Sequence, residues 1–134
     1  MEDVGITHVL DCRTWEEVDH SKGWRHPSRR YVDPTERFIV AYNATGDDGR
    51  VKSTDYFLAA IQWADEVLRN GGKIYAHCAM GINRGPSNLY AIMRATNPRL
   101  DTVTTLSMIR RARPFAGVMY WRDADDAIEE LYGR

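Results

Sequence analysis

The segment from residue 73 to residue 87 constrains this chain more than any other. It opens with Lys73-Ile74-Tyr75-Ala76-His77, a short apolar run of the kind that forms a buried strand. It continues as Cys78-Ala79-Met80-Gly81-Ile82-Asn83-Arg84-Gly85-Pro86-Ser87. Gly81 lets the backbone curl tightly. Pro86 suits the first turn of a helix, where its missing N–H costs nothing. Strand, tight loop and helix start together make the repeating unit of a parallel α/β sheet. In such sheets ligands sit beyond the carboxyl ends of the strands, which is where the loop from Cys78 to Arg84 must lie.

The rest of the chain is patterned to match. Residues 6–12 and 37–42 read as further strands, and residues 43–50 (Asn-Ala-Thr-Gly-Asp-Asp-Gly-Arg) are dense in turn formers. A helix follows over 54–69, capped by Ser53 or Thr54, with Phe57, Ala60, Ile61, Ala64, Val67 and Leu68 on its inward face and Gly71-Gly72 as its stop. The spacing predicts further helices over 85–96, 102–112 and 119–132. Asp101 caps the second, with Val103, Leu106 and Ile109 inward, and Pro114 ends it. Met119 and Trp121 read as core, and Arg110, Arg111 and Arg113 as a solvated helix face. Residues 14–35 have no clean period and read mostly as loop, with a short helical turn near 14–18. The expectation is one α/β domain over 1–134, a parallel-centred sheet flanked by helices. Functional side chains then belong in the loops after Cys12, Tyr42 and His77.

Bulk composition narrows the function. The 134 residues are 43% hydrophobic and 28% charged, with a formal net charge of −1. That balance lacks the basic excess of proteins held to nucleic acid by bulk charge, so no nucleic-acid partner is expected. No apolar run approaches a bilayer span, and no basic stretch followed by an apolar one marks a secretory leader, so no membrane partner is expected. Two cysteines make neither a disulfide framework nor a zinc cluster, and a reducing, cytoplasmic setting follows. A local basic stretch at 22–30 contains Lys22, Trp24, Arg25, Arg29 and Arg30. It reads either as a steering patch for acidic substrates or as a solvated loop.

The loop itself suggests phosphate chemistry. A free cysteine titrates near about 8.5 and is mostly thiol at neutral pH. Backbone N–H groups of a tight loop, followed by a helix start, favour negative charge, and the same groups can hold phosphoryl oxygens. Arg84 adds a planar, permanent cation able to grip two oxygens at once. Cys78 alone would read as a buried core thiol. Strand, His-Cys, loop glycine, Arg and Pro in this order instead point to a nucleophile, with Ala79, Met80, Gly81, Ile82, Asn83 and Arg84 around the bound phosphate. Cleavage also needs a carboxylic acid to protonate the leaving oxygen.

The His77-Cys78-x5-Arg84 segment resembles the signature of the protein tyrosine phosphatase superfamily, and the compact length is similar to its dual-specificity branch. The resemblance extends to Gly5-Ile-Thr-His-Val-Leu, to the helix carrying Tyr56-Phe57 and to Arg113-Pro114. It implies a metal-independent, cofactor-free phosphatase working through a phosphocysteine. Cys78 would be the nucleophile, Arg84 would grip the phosphate and His77 would support the loop. It places the general acid on the loop before the long helix, at Asp47 in preference to Asp48. Phosphotyrosine or phosphoserine/threonine proteins are the first substrate class implied; relatives also take phosphoinositides and RNA 5′-phosphates, and the uncharged variable loop positions lower the phosphoinositide reading. A non-catalytic phosphate-binding module and a rhodanese-type sulfurtransferase are the rivals. Two departures stand out. Gly85 replaces the hydroxyl residue that usually helps the thiolate leave, so Gly85→Ser is expected to raise turnover. The N-terminal hairpin of the family is apparently missing, which leaves a sheet edge that a homodimer would cover. Cys12, at the end of the first strand, is a candidate redox partner for Cys78.

Overall fold

The computed structural model describes residues 5–14, 16, 30–33, 38–78 and 83–134. Four strands form one sheet: β1 (His8–Asp11), β2 (Arg30–Asp33), β3 (Phe38–Tyr42) and β4 (Ile74–His77). The strand order is β2-β3-β1-β4. Strand β1 runs parallel to both neighbours, with Asp11 opposite Tyr42 on β3 and opposite His77 on β4. All three of these strands therefore end at one edge of the sheet, and the loops after them converge there. The helices are α1 (Thr54–Arg69), α2 (Arg84–Thr96), α3 (Thr102–Ala112) and α4 (Trp121–Tyr132).

Local chemistry accounts for the element ends. Ser53 Oγ accepts from Tyr56 N at 3.1 Å and caps α1, and Gly71, with φ of 79°, takes the left-handed turn that stops it. Asp101 Oδ1 accepts from Thr104 N at 2.7 Å and starts α3.

Alternation along β1 sends Leu10 and Cys12 to one face and Val9 to the other. On the first face the small side chains of Ala41, Ala60, Ala64 and Ala76 pack with Leu10, Ile92, Cys12 and Cys78, which holds α1 and α2 close to the sheet. A larger core lies among the helices, built on Phe57, Ile61, Tyr90, Ile109, Val118 and Ile128. Among the described residues no helix is long and apolar enough to cross a membrane.

Several expectations are corrected. Residues 30–33 are not loop. They form β2, antiparallel to β3, with Tyr31 opposite Val40. Val103 is 74% exposed because Thr105 takes the inward place on α3, its hydroxyl donating to Asp101 O at 2.6 Å. Leu68 is exposed beside buried Val67 at the end of α1. Met119 is exposed too, since it precedes α4 and lies outside its packed face. The expected turn near 14–18 and the basic stretch at 22–30 lie largely outside the described residues.

Candidate active site

Cys78 follows directly on β4, and its side chain is buried, 3% exposed, at the carboxyl end of the strand. Cys12 follows β1 in the same way. Its N–H donates to His77 O at 2.7 Å, which continues the β1–β4 register and sets the two cysteines side by side on adjacent parallel strands. Burial pushes the Cys12 thiol well above the ordinary cysteine range, and the neighbouring Cys78 and Asp11 add to the shift. Asp11 itself is gripped by Arg13, whose Nη2 approaches Oδ2 at 2.8 Å.

Arg84 opens α2 and is also buried. A closed polar network fixes this start. Asn88 Nδ2 donates to Arg84 O at 2.9 Å and to Tyr56 Oη at 2.8 Å. Asn43 Nδ2 donates to Asn88 Oδ1 at 2.8 Å, and the Tyr56 hydroxyl donates to Asn43 O at 2.9 Å. The loop after β3, the long helix α1 and the first turn of α2 are thereby locked together in a buried setting, where each satisfied bond is strengthened and each lost one is costly. Residues 79–82, expected around a bound phosphate, lie outside the described residues. Arg113, expected only on a helix face, reaches β4. Its Nη1 donates to Ala76 O at 3.3 Å, and its guanidinium lies 4.7 Å from the centre of the Tyr75 ring.

Gly85 has a packing reason that the sequence did not reveal. A Cβ there would stand 3.1 Å from His77 C and 3.2 Å from Ala76 O. The helix start therefore rides against the backbone of β4 immediately before Cys78. A serine there would require α2 and β4 to give by a few tenths of an ångström. Ser87, the nearest other hydroxyl, accepts from Tyr120 N at 3.1 Å and serves the chain before α4.

The loop from β3 to α1 folds over this centre. Thr45 N donates to Cys12 O at 3.2 Å, and Arg84 Nη1 donates to Thr45 O at 2.9 Å. The Lys52 ammonium donates to Gly46 O at 2.8 Å and to Asp48 Oδ1 at 3.0 Å, on either side of Asp47, and lies 4.6 Å from the centre of the Tyr120 ring. The two candidate acids are treated differently. Asp48 is held below the usual carboxylate range by the Arg50 N–H and then by Lys52. Asp47 accepts from the Tyr120 hydroxyl at 2.8 Å on Oδ1 and from Asn83 Nδ2 at 3.3 Å on Oδ2. Asn83 immediately precedes Arg84, so Asp47 is tethered to the cysteine loop itself. Sequence reading missed Lys52, Tyr120 and the Asn43–Tyr56–Asn88 network. Their contacts join residues up to 73 positions apart, and no periodicity or motif marks them.

No protein-family model matches the chain, and no curated protein matches it. Solved structures do. The human tyrosine phosphatase-like serine/threonine/tyrosine-interacting protein superposes with a TM-score of 0.73 at 16% identity, over 99% of this chain and 82% of the other. Human DUSP28 gives 0.72 at 16%, over 98% and 83%. Tk-PTP in its active form gives 0.67 at 22%, over 97% and 80%. At these identities the likeness speaks for architecture, and one of the three is named phosphatase-like and interacting, so architecture does not choose between catalysis and binding. The chain shares the fold of these tyrosine phosphatase and phosphatase-like structures.

Proposed function

We propose that this chain is a phosphatase that hydrolyses phosphomonoesters through a phosphocysteine intermediate. The observation that carries the reading is the convergence of three groups at one sheet edge. Buried Cys78 directly follows β4, buried Arg84 starts α2, and Asp47 is tied to Asn83 just before α2. In the first step the Cys78 thiolate attacks phosphorus and the P–O bond to the leaving group breaks. The start of α2 and Arg84 stabilise the equatorial oxygens as charge develops. Asp47 gives its proton to the departing oxygen. In the second step Asp47, now a carboxylate, takes a proton from water, whose oxygen displaces the Cys78 sulfur from phosphorus. Each step uses only this chain and water. Asp47 is preferred to Asp48 because Asp48 is committed to Lys52.

Phosphotyrosine and phosphoserine/threonine proteins remain the first substrate class, since Ala79, Met80, Ile82 and Asn83 bring no charge to the loop. One fold neighbour, PTPMT1, is solved in complex with PI(5)P, which makes phosphoinositides the second class to assay. The deciding experiment is phosphate release from an aryl phosphate in EDTA, comparing wild type with Cys78→Ser. Activity that vanishes in the variant supports the reading. A folded wild type that binds phosphate without turnover would replace it with a binding module.

A second reading concerns Cys12, which stands beside Cys78 on the neighbouring strand. Peroxide would oxidise the Cys78 thiolate to a sulfenic acid, releasing hydroxide. Cys12 would then displace water from that sulfur to form a disulfide. After a mild peroxide pulse, peptide mapping should find a Cys12–Cys78 link reversed by dithiothreitol. A free Cys12 alongside over-oxidised Cys78 would remove Cys12 from any redox role.

A further inference from the structure

We propose that Tyr120 and Asn83 are positioning residues for Asp47, and that Tyr120 selects which carboxyl oxygen carries the proton delivered to the leaving group. The inference rests on the reading of Asp47 as general acid.

The hydrogen-bond directions are fixed by the neighbours. A phenol has one proton to give. The Tyr120 oxygen accepts from Gly49 N at 3.1 Å, so its own proton goes to Asp47 Oδ1 at 2.8 Å. Both carboxyl oxygens accept a bond, but Oδ1 accepts the shorter one and is the poorer place for the acid's proton, which favours Oδ2. Oδ2 is the oxygen on the Asn83 side, next to the loop that carries the nucleophile. The orientation of the Asn83 amide is likewise set: Met119 N donates to its Oδ1 at 3.2 Å, which turns Nδ2 toward Asp47. The bond from Nδ2 is long, so Asn83 locates Oδ2 without engaging it strongly.

The backbone around Tyr120 is built to hold this arrangement. Val118 is fully buried and β-branched, yet it sits at φ of 51° in the left-handed region. Such a conformation costs about 1–3 kcal/mol and persists only where its surroundings over-determine it. The turn it makes brings Met119 N onto Asn83 and Tyr120 N onto Ser87 Oγ, both at the entrance to α2. The Tyr120 ring is buried under Lys52. Burial, and then the Asp47 carboxylate, raise the Tyr120 hydroxyl above the usual phenol range, so it remains a donor wherever a phosphatase works. The start of α2 thus sets both the phosphate-gripping Arg84 and, through the Met119-Tyr120 segment, the acid opposite it.

The test is leaving-group dependence, because a purely structural role would not move it. Tyr120→Phe keeps the ring, the Lys52 contact and the backbone bond to Ser87. Its kcat/KM should fall about tenfold more toward phenyl phosphate than toward para-nitrophenyl phosphate, a part of the 10²–10⁴ that a positioned acid supplies. Asn83→Ala should discriminate in the same direction. In the Asp47→Asn background, Tyr120→Phe should add no further discrimination. Equal losses on both esters in Tyr120→Phe and Asn83→Ala would overturn the proposal, as would a full selective loss added on top of Asp47→Asn. If Asp47→Asn itself fails to discriminate between the esters, the general-acid reading falls and takes this inference with it.

Discussion

Two aspartates in this molecule each accept a hydrogen bond from a tyrosine, and their surroundings differ instructively. On the side of α2 that meets α3 and α4, Asp125 accepts from the Tyr90 hydroxyl at 2.5 Å, from Arg94 Nη1 at 2.7 Å and from the Thr102 hydroxyl at 2.7 Å. At the sheet edge, Asp47 accepts from the Tyr120 hydroxyl and the Asn83 amide, both neutral donors. A guanidinium partner suits a carboxylate whose work is to join three helices, since the pair and its bonds are all satisfied in one ionic state. Neutral donors suit a group that must pass between acid and carboxylate, because they favour the charged form less strongly than a guanidinium does. On the proposed reading, the same pairing of residue types serves packing in one place and chemistry in the other, and the cation makes the difference.

The comparison can be broken by swapping the outcomes. Asp47→Asn should lower kcat toward phenyl phosphate by about 10²–10⁴ while its urea midpoint stays near wild type, the change in stability being within about 0.5 kcal/mol. Asp125→Asn should do the reverse, losing about 2–3 kcal/mol in urea unfolding with kcat/KM unchanged. Activity lost in the second variant and stability in the first would dissolve the distinction.

A smaller effect sharpens the role of the α2 entrance. Gly85→Ser should destabilise by about 1–3 kcal/mol where α2 must give against the β4 backbone, and turnover should not rise. Faster phosphate release in that variant would restore the simpler view that a hydroxyl is merely missing.

The smallest effect is pH-dependent and belongs to the structural pair. Burial, and then the hydrogen bond to Asp125, push Tyr90 up to about 12. A phenol whose folded value lies above its unfolded value of about 10 contributes stability that is complete below pH 10. That contribution is lost as pH rises from about 10 to about 12. Urea midpoints measured across this window should fall, and Tyr90→Phe should flatten the fall.

Much of this was legible in the sequence, for identifiable reasons. Helices α1 and α3 announced themselves because capping is local chemistry: Ser53 and Asp101 act within three residues of themselves. The parallel strands were readable from their apolar runs. Strand β2 was not, because Arg30-Tyr31-Val32-Asp33 has charged ends and exists through its antiparallel ladder with β3. Burial on α3 was misread because a hydroxyl satisfied within its own helix is invisible to a hydrophobic pattern, and Thr105 displaced Val103. At the candidate site, Cys78 and Arg84 are proposed from the loop motif, and Asp47 and Asp48 from the family resemblance. The residues that separate Asp47 from Asp48, namely Lys52, Tyr120 and Asn83, act through tertiary contacts that appear only once the loop, α2 and the segment before α4 are brought together.

The central claim is that phosphorus passes through the Cys78 sulfur. Rapid acid quench of wild type turning over an aryl phosphate, followed by peptide mass spectrometry, tests it directly. The account predicts a phosphoryl adduct on Cys78 that forms within one turnover and is absent from Cys78→Ser, together with all phosphate release. Steady phosphate release that survives Cys78→Ser, with no adduct on Cys78 in wild type, would contradict it.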